Sequence, residues 1–140
     1  MSSYLRVARP DLGSKIHFNL ANILNTLNKP QEAEISIRKA IELNPDFAVA
    51  YSNLGGILKN LDKLEDAELS TRNAIELKPD LAKAHYNLGI ILIDLGNLQE
   101  AELSTRNAIE LKPDLAEAHY NLGVILKDLG KLQELILFSK

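Results

Sequence analysis

The sequence predicts an all-α fold, an α-solenoid built from antiparallel helix pairs. Three observations predict it: a unit of 34 residues recurs along the chain, apolar residues recur at three- and four-residue spacing inside each unit, and Gly or Pro punctuates the helical stretches. Residues 67–100 and 101–134 are near copies, differing only at Lys83/Glu117, Ile90/Val124, Ile93/Lys127 and Asn97/Lys131. Pro45, Pro79 and Pro113 keep the same period. The expected organisation is a segment 1–13 that echoes an earlier repeat, full repeats at 14–47, 48–81 and 82–115, and a fourth at 116–140 whose second helix is incomplete.

Each unit reads as two helices. In the third, Ala84, His85, Leu88, Gly89, Ile91, Leu92 and Leu95 share one helical face, and Gly96-Asn97 then breaks the pattern. A second helix follows with Leu98, Ala101, Thr105, Ala108 and Leu111 on its inner side. Lys112-Pro113-Asp114 ends it, because proline lacks the next backbone donor and disfavours helix in the residue before it. Pro30 stands where the second helix of the first unit should start, a position proline tolerates. Glu34–Arg38, Glu68–Arg72 and Glu102–Arg106 are i,i+4 pairs in the favourable order. Gly55, Gly89 and Gly123, with Ala21 in the first unit, lie mid-helix, where glycine costs up to about 1 kcal/mol relative to alanine. Keeping glycine there implies a close helix–helix approach, opposite the small Ala33, Ala67 and Ala101.

Composition narrows the function. Sixteen Lys and Arg against nineteen Asp and Glu leave a net charge of -3, no electrostatic reason for a nucleic-acid partner or an anionic membrane. There is no cysteine, so disulfides and thiolate metal sites are excluded. No apolar run suits a secretory signal or a membrane span, and the cytoplasm is the expected location. His17, His85 and His119 occupy equivalent places in separate units, which stacking holds apart, so they read as packing residues rather than convergent metal ligands. No nucleophile–base set, phosphate loop or paired carboxylate is recognisable, so neither enzyme activity nor a cofactor is expected.

These residues resemble the tetratricopeptide repeat family, and in particular its tandem arrays of bacterial type. The family pattern of a bulky residue, Leu-Gly, a large apolar residue, Ala, a second apolar residue, Ala and Pro is met by His85, Leu88-Gly89, Leu92, Ala101, Thr105, Ala108 and Pro113. In the second unit it is met by Tyr51, Leu54-Gly55, Leu58, Ala67, Thr71, Ala74 and Pro79. The family's usual Trp is replaced by His17, Tyr51, His85 and His119. The resemblance implies a right-handed superhelix whose first helices line a concave groove that binds a peptide or a partner protein, with Phe18, Asn19, Asn22 and Asn25, then Asn53, Gly56 and Lys59, in its wall.

It therefore nominates Asn19, Asn22, Asn53, Lys83, Tyr86, Asn87, Ile90, Tyr120, Asn121 and Val124 as peptide-binding residues. Asn19, Asn53, Asn87 and Asn121 recur at one place in every unit. An amide offers both donor and acceptor, which suits the backbone of an extended peptide, and equally a bond to the neighbouring helix. Tyr86, Ile90, Ile93, Tyr120 and Val124 would add an apolar strip. The family's dicarboxylate clamp is matched by Asn22, Asn53 and Lys83 but not by Phe18 and Asn87, which stand where cations are needed.

At the C-terminus Leu135 replaces the small residue expected of a second helix, and Ile136, Leu137 and Phe138 follow. An uncapped apolar end marks an interaction site, a hazard for aggregation, or a junction with further chain. Two alternatives to groove binding follow from it: a self-associating scaffold, a homo-oligomer held by Leu135, Ile136, Leu137 and Phe138, or the recognition arm of a larger enzyme whose catalytic domain lies elsewhere.

Overall fold

Apolar residues at helical spacing leave each unit with two amphipathic helices that can bury their faces only on one another. The computed structural model describes residues 10–130 together with 136 and 137. Within them seven helices follow in order: α1 (Pro10–Thr26), α2 (Pro30–Leu43), α3 (Ala48–Asn60), α4 (Leu64–Leu77), α5 (Ala82–Asp94), α6 (Leu98–Leu111) and α7 (Ala116–Asp128). Each of α1, α3 and α5 packs most extensively on the helix that follows it, and α2, α4 and α6 then pack on the next hairpin. α1 begins at Pro10, a turn ahead of Ser14, so Pro10–Gly13 is helix rather than the loop that precedes later first helices.

The turn inside each hairpin is one conformation used repeatedly. Asn28, Asp62, Gly96 and Gly130 all have positive φ, between 60° and 82°. After α1 the Lys29 N–H donates to the Leu24 carbonyl (2.9 Å) and the Asn28 N–H to that of Asn25 (3.0 Å). Lys63 to Leu58 and Asn97 to Leu92, each 2.9 Å, repeat the longer bond after α3 and α5. This pairing satisfies helix-end carbonyls, and it requires one left-handed residue, which glycine adopts without a Cβ clash. Two of the four turns therefore hold a residue that is strained there.

The inner seam depends on missing side-chain atoms. A Cβ on Gly55 would lie 2.1 Å from Thr71 Oγ1 and 3.3 Å from the Ala67 carbonyl oxygen; on Gly89 it would lie 2.6 Å from Thr105 Oγ1. Both threonine hydroxyls donate to the carbonyl four residues back, Thr71 to Ala67 (2.8 Å) and Thr105 to Ala101 (2.7 Å), so burying them leaves no orphaned group. The core otherwise runs as Ala and branched aliphatics: Ala21, Ala33, Ile37, Ala50, Leu54, Ile57 and Leu58 in the first half, Leu88, Leu92, Ala101 and Ile125 in the second. The first unit has Ala21 and Ile37 where the next has Gly55 and Thr71, and all four are buried. His85 and His119 donate from Nε2 to the carbonyls of Pro79 (2.8 Å) and Pro113 (2.7 Å), tying each helix start to the loop before it.

Successive first helices touch (α1 with α3, α3 with α5, α5 with α7), whereas the second helices α2, α4 and α6 do not approach one another. The stack therefore curves with α1, α3, α5 and α7 on its inner face. Long charged side chains span the outer gaps. Glu34 takes bonds from Arg38 of its own helix (2.9 Å) and from Lys63 at the start of the next outer helix (3.2 Å), while Arg72 joins Glu68 (2.9 Å) to Glu100. Partial burial pushes the Glu34 carboxyl up, but the bonds and charges of Arg38 and Lys63 outweigh it and hold it below its ordinary range. The Arg72 bond lowers Glu100 likewise.

Two stability outcomes follow. Asp62→Gly should raise stability by roughly 0.5–1 kcal/mol in urea denaturation by relieving the left-handed turn. Gly55→Ala should cost about 1–3 kcal/mol through overpacking, and the cost should shrink when Gly55→Ala is made in a Thr71→Ala chain.

Candidate functional site

Because only the first helices meet on the inner side, their i, i+3, i+7 positions form the groove wall. Asn22, Asn25 and Thr26 of α1, Asn53, Gly56, Ile57, Lys59 and Asn60 of α3, and Lys83, Asn87 and Ile90 of α5 enclose an open cleft of about 370 Å³. Five asparagines and two lysines supply its polar wall. Ile57, 1% exposed, and Ile90 supply apolar floor.

The asparagines are tied to their neighbours. Asn53 donates from Nδ2 to Asn22 Oδ1 (2.7 Å), bridging α3 to α1, and Asn60 donates to Asn25 Oδ1 (3.3 Å) farther along both helices. Asn87 donates from Nδ2 to the carbonyl (3.3 Å) and hydroxyl (3.2 Å) of Ser52, bridging α5 to α3. A carbonyl can only accept, so this contact fixes which end of the Asn87 amide faces the helix and turns its Oδ1 away from Ser52, with no bond to it among the described residues. Lys59 Nζ lies 4.0 Å from Asp94 Oδ2, a loose contact; Lys83 is exposed and makes no ion pair with a described residue.

The sequence-nominated residues fall into two groups. Asn22, Asn53, Lys83, Asn87 and Ile90 converge on the cleft. Asn19 is exposed on α1 and does not line it; Tyr86, between Lys83 and Asn87 on α5, is outside its lining, as are Tyr120, Asn121 and Val124 of α7. Tyr120 is 74% exposed. Phe18, read as groove-lining, stacks on Phe47 with ring centroids 4.8 Å apart. Thr26, Ile57 and Asn60 were missed. The signal was present, since continuing Asn19, Asn22 and Asn53, Gly56 by one helical turn reaches Thr26 and Asn60. Of the C-terminal group, Leu135 and Phe138 lie outside the described residues, and Ile136 and Leu137 are 50% and 68% exposed.

Among the described residues no three His, Asp or Glu side chains gather to hold a metal ion, and no helix is long and apolar enough to cross a membrane.

Comparison with known proteins places this geometry. A TPR repeat model matches residues 91–130, and two tetratricopeptide repeat models match 14–47 and, in two copies, 37–68 and 71–102. No curated protein matches the chain. Among solved structures, the first TPR of Spaghetti (RPAP3), bound to the HSP90 peptide SRMEEVD, superposes with a TM-score of 0.84 at 24% identity over 86% of this chain and 98% of that one. MamA gives 0.84 at 24% identity over 97% and 79%. The O-GlcNAc transferase of Thermobaculum terrenum gives 0.81 at 28% identity, covering 84% of this chain but 23% of that one. What is shared with the first two at this identity is the fold.

The Asn22–Asn53 bond yields a direct check. Asn22→Ala and Asn53→Ala should each cost about 0.5–1.5 kcal/mol of stability. In urea melts the double variant should lose little more than the worse single one, because both remove one interaction.

Proposed function

The chain belongs to the tetratricopeptide repeat family, and from that premise we propose that it is a protein-interaction module that takes a peptide or a partner protein into its concave groove. In this reading it works in the cytoplasm, without catalysis or cofactor, as repeats at 14–47, 48–81, 82–115 and 116–140. One observation carries the reading: an open cleft of about 370 Å³ whose wall holds Asn22, Asn53, Asn87 and Lys83 side by side. The Asn87 amide spends its donor on Ser52. Its oxygen then serves the N–H of an extended ligand, a placement an unanchored side chain would have to reach at an entropic cost.

The Spaghetti domain holds an acidic peptide. For this chain the reading is a less charged ligand. Lys83 offers one carboxylate a partner, but Phe18 and Asn87 stand where a dicarboxylate clamp needs cations. Tyr86, Ile90, Tyr120, Asn121 and Val124 extend the contact along α5 and α7, the tyrosines giving rigid apolar area with a polar tip.

Self-association through the C-terminal residues is a second reading, supported by the exposure of Ile136 and Leu137.

Phage-displayed heptapeptides, with the selected sequences measured by calorimetry, test the groove. The expected result is saturable binding that weakens roughly tenfold in Asn87→Ala/Asn121→Ala, about 0.5–1.5 kcal/mol for each lost bond, with the helical circular-dichroism signal retained and the melting temperature lowered no more than loss of the Asn87–Ser52 contact requires. Selected peptides that bind the variant equally well would remove the asparagines from the mechanism. Failure to select any peptide would count against the groove as a peptide site.

A further inference from the structure

The outer face of α1 carries an apolar stripe that groove binding does not use. Leu12, Ile16, Leu20, Ile23 and Leu27 are 51%, 55%, 42%, 57% and 61% exposed. Their spacing of four, four, three and four residues puts them on one side of the helix along roughly 22 Å. The repeat shows what this side is for. Thirty-four residues on from Ile16, Leu20 and Ile23 stand Ala50, Leu54 and Ile57, then Ala84, Leu88 and Ile91, then Ala118, Leu122 and Ile125. All nine are at most 4% exposed, on first helices that pack against the second helix of the preceding hairpin. On α1 the same side has no described element over it.

We propose that a second copy of this chain covers it, with two α1 helices packed antiparallel across a two-fold axis near Leu20. Three observations choose this occupant. First, the stripe differs from its internal counterparts where size matters: Ile16 replaces Ala50, Ala84 and Ala118, and Leu12 replaces Asp46, Asp80 and Asp114. The internal joints use alanine for close approach, whereas Ile16 needs the wider separation of an aliphatic-to-aliphatic helix pair, about 10 Å between axes. Second, α1 starts as helix at Pro10. The residues that form the loop before each later first helix, 44–47, 78–81 and 112–115, thus have helix, Pro10–Gly13, as their counterpart on α1. Third, the stripe reads Leu-Ile-Leu-Ile-Leu in both directions, so an antiparallel copy sets Leu12 against Leu27, Ile16 against Ile23 and Leu20 against Leu20. A two-fold interface demands that kind of self-complementarity.

The patch continues past Leu20 into a largely apolar cleft of about 520 Å³ between α1 and α2, reaching Ile35 and rimmed by Arg38, Lys39 and Glu42. It is room for a partner side chain. A patch of a few hundred Å² on each copy reaches the lower end of specific interfaces once doubled. The pair should accordingly form and dissociate with concentration.

Sedimentation equilibrium of the full 140-residue chain over a concentration series tests this, with circular dichroism reporting the fold. The expected result is a reversible monomer–dimer equilibrium, weakened at least tenfold by Leu20→Glu and measurably by Ile16→Ala, a substitution that copies the other repeats. Because the chain has no cysteine, a short thiol cross-linker gives a second readout that does not depend on a charged variant folding. Leu20→Cys should link to itself, and Leu12→Cys should link to Leu27→Cys but not to itself. A monomer at every concentration would overturn the proposal, as would a dimer indifferent to Leu20→Glu and Ile16→Ala, or self-linking of Leu12→Cys. Higher polymers that vanish on removing residues 131–140 would do the same by placing the contact at the other end.

Discussion

The close approach of the two helices in each hairpin is the constraint on which the rest depends. Gly55 and Gly89 have no room for a methyl group beside Thr71 and Thr105, so the second helix sits tight against the first and its outer side is drawn away from the next second helix. First helices meet on the inside while second helices separate on the outside, and a groove results. Polarity is arranged around that asymmetry. Short amides bridge the inner joints, where the helices touch, and long Arg, Lys and Glu side chains bridge the outer ones, where they do not. The outer pairs stand at the surface, each with at least one exposed partner, and contribute little individually; the inner joints are where a changed residue would alter curvature.

That curvature brings Asn22, Asn53 and Asn87, each about a repeat apart in sequence, to one cleft. The bonds they make to neighbouring helices and a role in ligand binding are compatible, since an amide has two ends. Anchoring one end to Ser52 makes the other a fixed feature of the wall. The groove and the α1 stripe lie on different sides of the first helix, so pairing of two copies through α1 would leave the cleft lining uncovered and present two grooves per assembly.

Much of the fold was legible because the determinants are local and repeated. The mid-helix glycines announced the tight seam, Pro113 and its equivalents announced the ends of the second helices, and Glu34, Glu68 and Glu102 found the arginines four residues on. Less was legible at the site. The ladder of Asn19, Asn53, Asn87 and Asn121 reads as four equal rungs, but only Asn53 and Asn87 line the cleft: α1 meets it farther along, through Asn22, Asn25 and Thr26, and α7 contributes nothing to its lining. Phe18 looked like groove wall from its register; Phe47, in the loop before α3, stacks on it. The turn strain at Asn28 and Asp62 was likewise visible only as backbone geometry, although the equivalent Gly96 and Gly130 were a clue.

The central claim is that ligand meets the inner wall built by first helices. The most direct measurement is an amide-resolved NMR titration of the chain with a peptide selected against it, following backbone and asparagine side-chain signals together. The account predicts that the largest shifts fall on α3 and α5, with the Asn53 and Asn87 side-chain amides among them, while α2, α4 and α6 stay largely unmoved. Shifts concentrated on Ile35, Leu69 and Leu103 of the outer helices would contradict it and place recognition on the convex face.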